Sequence, residues 1–162
     1  MLTLDDMVIR LAVAIVLGAI VGLEREMVGK EAGVRTDIVV AAGAAIFTMI
    51  GLSLPYTLNL SAGLAERVVV ENSGYLRIIA NIVVGIGFLG AGIIIHQGPR
   101  VRGLTTAASV WFVAAIGVLA GIGLVAFAVI STIGMTALLI ILRKMDLYSM
   151  VRVGKKKKPK KK

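Results

Sequence analysis

Five nearly uninterrupted apolar runs constrain this chain more than any other feature: Met7–Leu23, Asp37–Leu54, Leu76–His96, Leu104–Ala120 and Leu124–Leu142. A helix needs roughly 20 apolar residues to cross the hydrocarbon core of a bilayer, and each run comes close to that length. Backbone amides in lipid must be satisfied inside the segment, so each run is expected to be a helix. The expected fold is all-α: a polytopic membrane bundle of about five transmembrane helices. The last two runs are separated only by "GIG", Gly121–Gly123. Together they are too long for one span, so a tight helical hairpin is expected there. At 58% hydrophobic residues and a mean hydropathy of +0.95, the composition agrees with a membrane protein.

Residues 1–142 are read as one transmembrane domain and 143–162 as a basic cytoplasmic tail. The start, "MLTLDDMVIR", carries Asp5 and Asp6 and lacks both a basic leader and a small-residue cleavage motif. The first run is therefore read as a retained span. Pro55–Tyr75 becomes the one sizeable outer loop, with a short amphipathic helix expected around Leu60–Val70.

Positive charge gives the direction. Arg25, Lys30, Arg35, Arg100, Arg102, Arg143, Lys144, Arg152 and the seven lysines of "KKKKPKKK" fall on one side. Arg10, Arg67 and Arg77 fall on the other. The bias places the N-terminus outside and the C-terminus in the cytoplasm, as an odd number of spans requires. The net charge of +9 is concentrated in the tail, where it suits anionic lipid headgroups. Nucleic acid is not an expected partner.

Several chemistries are excluded. The chain has no cysteine and one histidine, His96, so it offers no thiolate site and no multi-histidine metal site. It lacks a Ser/His/Asp set, HExxH and GxSxG. No catalytic residue and no bound cofactor are assigned.

"GIGFLG", Gly85–Gly90, has the spacing of a dinucleotide-binding turn. That reading needs a preceding strand and an acidic residue roughly 20 positions later. The preceding run is a membrane span, and the next acidic residue is Asp146. Helix geometry explains the glycines better. At about 100° per residue, Arg77, Asn81, Gly85, Phe88, Gly92 and His96 share one face, while Gly87 and Gly90 lie elsewhere. Small residues on several faces let neighbouring helices approach, so the third span is expected to be the central helix. Asn81 is expected to face protein or water. Similar stripes are Ala14, Gly18 and Gly22 in the first span, and Asp37, Ala41, Ala44, Thr48 and Gly51 in the second. In the fourth, Thr105, Thr106 and Ser109 are placed to bond back to carbonyls one turn earlier.

The densest chemistry is a charged collar where four helix ends meet. Glu24, Arg25 and Glu26 close the first span; Arg35, Thr36 and Asp37 open the second; His96 ends the third; Arg102 precedes the fourth. A carboxylate at Asp37 needs a partner, for which Arg35, Arg102 and His96 are candidates. Glu24, Glu26 and Asp37 are candidate ligands for Mg2+, which is held through a few carboxylates and retained waters. A weak echo links the loops ending "GVRTD" and "VRGLTTA", as in a parallel repeat of helical hairpins.

"GLERE", "AGVRTDIVVAAGAAIFTMIG", "GIGFLGAGIIIHQG" and "VRGLTTAASVWFVAAIGVLAG" together resemble the MgtC/SapB family of bacterial and archaeal membrane proteins. The resemblance covers roughly Val8 to Gly123. It implies a multi-pass inner-membrane protein of about five spans, linked to adaptation at low magnesium and, in some pathogens, to survival inside macrophages. It also implies a regulator rather than a magnesium carrier, with the F-type ATP synthase as one target. The family motifs fall on Gly22, Leu23, Glu24, Arg25, Glu26, Gly33, Arg35 and Thr36. They continue on Gly85, Gly87, Phe88, Gly90 and Gly92, then on Arg102, Gly103, Thr105, Thr106, Ala107, Ala108 and Trp111. There are two departures: a short basic tail stands where many members continue into a cytoplasmic domain, so the role of that domain does not carry over, and Thr105 stands where virulence-linked members carry Asn, which favours the broad SapB-like branch over a virulence role.

The residues leave two functional classes in contention. The first is a non-enzymatic regulator that binds another membrane complex, with glycine faces that also suit self-association. The second is a transporter or channel for Mg2+ or protons, built on Asp37, Asn81 and His96. Within the spans, the polar supply away from the collar is limited to Asn81, Thr48, Ser131, Thr132 and Thr136, which favours the regulator.

Overall fold

The computed structural model describes residues 2–57, 74–97 and 100–154. Five helices form: α1 (Leu4–Met27), α2 (Val34–Thr57), α3 (Gly74–Ile93), α4 (Leu104–Ile122) and α5 (Val125–Gly154). All five are long and apolar enough to cross a membrane. The expected helix of the outer loop lies outside the described residues.

Local sequence sets the ends of these helices. Thr3 and Asp6 form a reciprocal capping box at the start of α1: the Asp6 amide donates to Thr3 Oγ1 at 3.2 Å and the Thr3 amide donates to Asp6 Oδ2 at 3.3 Å. Gly29, at φ 67°, ends α1. There the Gly29 amide donates to the Glu26 carbonyl at 2.9 Å and the Lys30 amide to the Arg25 carbonyl at 3.1 Å. This doubly bonded ending favours glycine at the left-handed position. Gly123, at φ 99°, ends α4 in the same way, and only one residue separates it from α5. The "GIG" hairpin expected from sequence is present.

Helices α1, α2 and α4 make the core. A Cβ on Gly18 would lie 2.7 Å from the Asp37 carbonyl oxygen and 2.9 Å from Ala41 Cβ. A Cβ on Gly22 would lie 2.6 Å from Val34 Cα. From α4, Gly117 meets the Ala41 carbonyl, and a Cβ on Gly121 would lie 2.8 Å from the Ala45 carbonyl. The stripes on the first two spans thus work as expected, bringing backbones into contact where lipid gives no hydrophobic drive for helix association. Gly117 pairs with Ala41 and Ala44, and Gly121 with Ala45 and Thr48, so α2 and α4 run parallel.

The third span is not central. Only 11% of its membrane window is buried, against 50% for α2 and 56% for α4. Gly85, Gly87 and Gly92 have nothing within 4 Å of where a side chain would start, and of these glycines only Gly90 approaches a neighbour, Ala107. Ile79, Ile82 and Ile86 attach α3 to the core from one side. The helix also stops short of His96: residues Ile95–Gln97 pair antiparallel with Arg100–Arg102, as strands β1 and β2, with His96 opposite Val101. Gly103, at φ 84° and against the Ile93 carbonyl, then turns the chain into α4.

Candidate functional site

The buried charges lie together at one end of the core. Glu24 and Arg25 in the last turns of α1 are 4% and 3% exposed, and Asp37 in the first turn of α2 is fully buried. Each position has an electrostatic reason. Asp37 sits at the positive N-terminal end of α2, and Arg25 sits at the negative C-terminal end of α1. Glu24 occupies that same negative end and therefore needs cations. Arg25 Nη1 approaches Glu24 Oε2 at 3.7 Å, and Arg143 Nη1 of α5 approaches Glu24 Oε1 at 3.4 Å.

Asp37 fits because α1 presents glycines to it: a Cβ on Gly18 would lie 2.7 Å from the Asp37 carbonyl oxygen and one on Gly22 3.1 Å from Asp37 Cβ. Among the described residues no cation comes within 4.0 Å of its carboxylate, and the Arg25 charge acts on it only at longer range. Among the described residues neither Asp37 oxygen has a hydrogen-bond partner, nor do Glu24 Oε2, Arg25 Nε or Arg25 Nη2.

The α1–α2 loop is organised by two further carboxylates. The Val34 amide donates to Glu26 Oε2 at 3.0 Å, so Glu26 caps α2 from the end of α1. Gly33 leaves room for it, since a Cβ there would lie 2.7 Å from Glu26 Oε2. Thr106 Oγ1, in the first turn of α4, donates to Glu31 Oε2 at 2.9 Å. The Glu31 carboxyl is held below its ordinary value, first by a backbone N–H of its own residue and then by Thr106.

Sequence comparison places this arrangement in a family. The sequence profile described as the MgtC family matches residues 11–148. The protein MgtC of Brucella abortus (strain 2308) is 42% identical over 133 residues, covering 82% of this chain and 50% of that protein. The protein MgtC of Salmonella typhimurium (strain LT2) is 42% identical over 136 residues, covering 84% of this chain and 52% of that protein. The chain belongs to the MgtC family. It spans about half the length of the curated relatives it matches. The MgtC profile runs into α5 as far as residue 148, further than the motifs resembling the family in the sequence, which stopped at Gly123. No solved structure matches.

Within this MgtC-family chain the expected site residues are divided. Glu24, Arg25, Glu26, Gly22, Gly33 and Asp37 do gather at the α1–α2 turn, with Thr106 and Ser109 nearby on α4. The back-bonding expected of the α4 hydroxyls holds for Ser109, whose Oγ donates to the Thr106 carbonyl at 2.8 Å. Thr106 turns to Glu31 instead, and Thr105 is exposed. Arg35, Thr36 and Arg102 are exposed. Neither Arg35 nor Arg102 comes within 4.0 Å of Asp37, and the side chain of His96 lies outside the described residues. Trp111 faces outward, 47% exposed. Asn81 is exposed and lines a groove between α2 and α3.

Among the described residues no three carboxylate or imidazole groups come together as a metal site. Glu26 is engaged with the Val34 amide and Glu24 approaches two guanidinium groups. Glu24, Glu26 and Asp37 therefore do not gather as a ligand set for Mg2+.

Three contacts escaped sequence reading. Arg143 pairs with Glu24, Glu31 receives Thr106, and Arg10 Nη1 donates to the Gly121 carbonyl at 2.8 Å. Each joins residues far apart in sequence, so local spacing carries no signal for it. Gly117 and Gly121 are different: their four-residue spacing was a readable signal.

Proposed function

We propose that this protein is a non-enzymatic regulatory membrane protein, linked to adaptation to low Mg2+, that acts by binding another membrane complex. It would sit in the prokaryotic inner membrane with its N-terminus outside and its basic tail in the cytoplasm. One observation carries this reading over transport: between the collar and Arg10 at the opposite end of α1, no charged side chain among the described residues is buried in the core, which is closed there by backbone-close contacts. Gly18, Gly117 and Gly121 seal α1 and α4 onto α2. Two of the buried hydroxyls deeper in the bundle are turned onto their own helices, while Ser53 Oγ and Thr136 Oγ1 have no partner among the described residues. Thr48 Oγ1 donates to the Ala44 carbonyl at 2.7 Å and Thr132 Oγ1 to the Ala128 carbonyl at 2.8 Å. A carrier of ions needs a chain of polar groups across the span.

Membership of the MgtC family supports the same reading. The test is affinity purification of the tagged chain from membranes of its own cells after growth at low and high Mg2+. The expected result is stoichiometric recovery of a membrane complex at low Mg2+. Recovery of the chain alone under both conditions would refute the proposal.

A second reading rests on Asp37. A fully buried carboxylate without hydrogen-bond partners among the described residues is the kind of group that a proton or cation transporter uses. Ion flux that depends on Asp37 would support it.

A further inference from the structure

Helix α3 has an attached side and an open side. Its isoleucines hold it to the core, whereas Val84 and Phe88 are 72% and 81% exposed. Between α2 and α3 runs a groove of about 520 Å3, walled by Val39, Gly43 and Phe47 from α2 and by Asn81, Gly85 and Leu89 from α3. Asn81 supplies its only polar side chain. Among the described residues no group hydrogen-bonds that amide. Asn81 is the eighth residue of a 20-residue spanning helix, so it lies at hydrocarbon depth. A carboxamide there is costly unless it is paired.

The chemistry of the amide selects the occupant. A lipid chain fills volume but offers neither donor nor acceptor. A carboxamide has an acceptor oxygen and an NH2 donor, and is therefore complementary to a second carboxamide. Two copies inserted in the same direction can be related by a two-fold axis along the membrane normal, and residues near that axis meet their own copies. On that axis each Asn81 meets its own copy, and both amides are satisfied by two hydrogen bonds.

The shape agrees. At about 100° per residue, Asn81, Gly85, Phe88 and Gly92 fall within one narrow sector of α3. The face thus carries open glycines that allow close backbone approach and a protruding aromatic ring, a hole and a knob on the same surface.

We propose that α3 is the self-association helix of this protein, and that two copies meet through an Asn81–Asn81 amide pair flanked by Gly85 and Phe88. The absence of cysteine makes the test direct. Val84→Cys, beside Asn81 and leaving it intact, is reconstituted in vesicles at high lipid excess and oxidised. Val16→Cys on α1 and Ile133→Cys on α5, both lipid-facing, serve as controls for random collision.

The expected result is a disulfide dimer at Val84→Cys at least fivefold above both controls. Adding Asn81→Leu should reduce it to the control level, and adding Asn81→Gln should retain it. Melting by circular dichroism establishes that each variant is folded. Equal cross-linking at all three positions, or a Val84→Cys dimer indifferent to Asn81→Leu, would overturn the proposal. So would a monomer with lipid or a different membrane protein bound along α3.

Discussion

Arg10 and Gly121 are 111 residues apart in sequence, yet the Arg10 guanidinium donates to the Gly121 carbonyl at 2.8 Å. The guanidinium therefore sits at the carbonyl end of α4, the negative end of its dipole, and ties α1 to the α4–α5 turn. A hydrogen bond to a charged group is worth about 1.5–3 kcal/mol, so Arg10→Ala should destabilise the protein by about that amount. Equilibrium unfolding in mixed micelles measures it.

The glycines should divide into two classes. Gly117→Val places branched carbons against the Ala41 carbonyl, where neither backbone can retreat. A loss of about 3 kcal/mol or more is expected, at the upper end of overpacking effects. Gly87→Ala meets nothing within 4 Å, and relief of the glycine entropy cost should make it neutral or stabilising by up to about 1 kcal/mol. Thermal melts of the two variants check this contrast.

Arg25 pairs with the buried Glu24 and carries the charge that acts on the buried Asp37 at longer range. Arg25→Gln leaves Glu24 to the half-exposed Arg143 and removes that charge from the surroundings of Asp37. Breaking a buried charge pair costs about 3–5 kcal/mol, and a loss of that order is expected. Adding Asp37→Asn should recover part of it. A double-mutant cycle on unfolding free energies measures the coupling, and strict additivity would show that Arg25 and Asp37 do not interact.

Glu31 should give an acid-side dependence of stability. Its carboxyl is held below its ordinary value of 4.5, so it binds protons more readily in the unfolded chain than in the folded one. Its stabilising contribution is then complete above about pH 5.5 and is lost as pH falls through the lowered value. Melting midpoints of the native protein and Glu31→Gln should differ by a constant amount at neutral pH and converge on acidification below 4.5.

The sequence could be read where one helix constrains itself. Span positions followed from the apolar runs, and the Asp37, Ala41, Ala44, Thr48 stripe followed from helical period. The rank of α3 did not, because lipid-facing and core-facing sides are equally apolar and hydropathy cannot tell a central helix from a peripheral one. Glycines at Gly85, Gly87 and Gly92 looked like contact points, but a small residue permits approach without supplying the neighbour. His96 was assigned to a helix because Ile93–Ile95 extends the apolar run. That same β-branched run favours strand, and the "QGPR" that follows is turn-forming. At the collar the residue types were legible. Their pairing was not, since Arg143–Glu24 depends on how separate helices pack.

The central claim is that the core beyond the collar is closed to ions. Purified protein, shown to be folded and inserted, is placed in liposomes holding Mg2+ and pH indicators, beside Asp37→Asn and protein-free vesicles. Neither ion should enter faster than in the protein-free control. Entry of Mg2+ or protons with the native protein, abolished by Asp37→Asn, would contradict the claim and make the collar the mouth of a transport path.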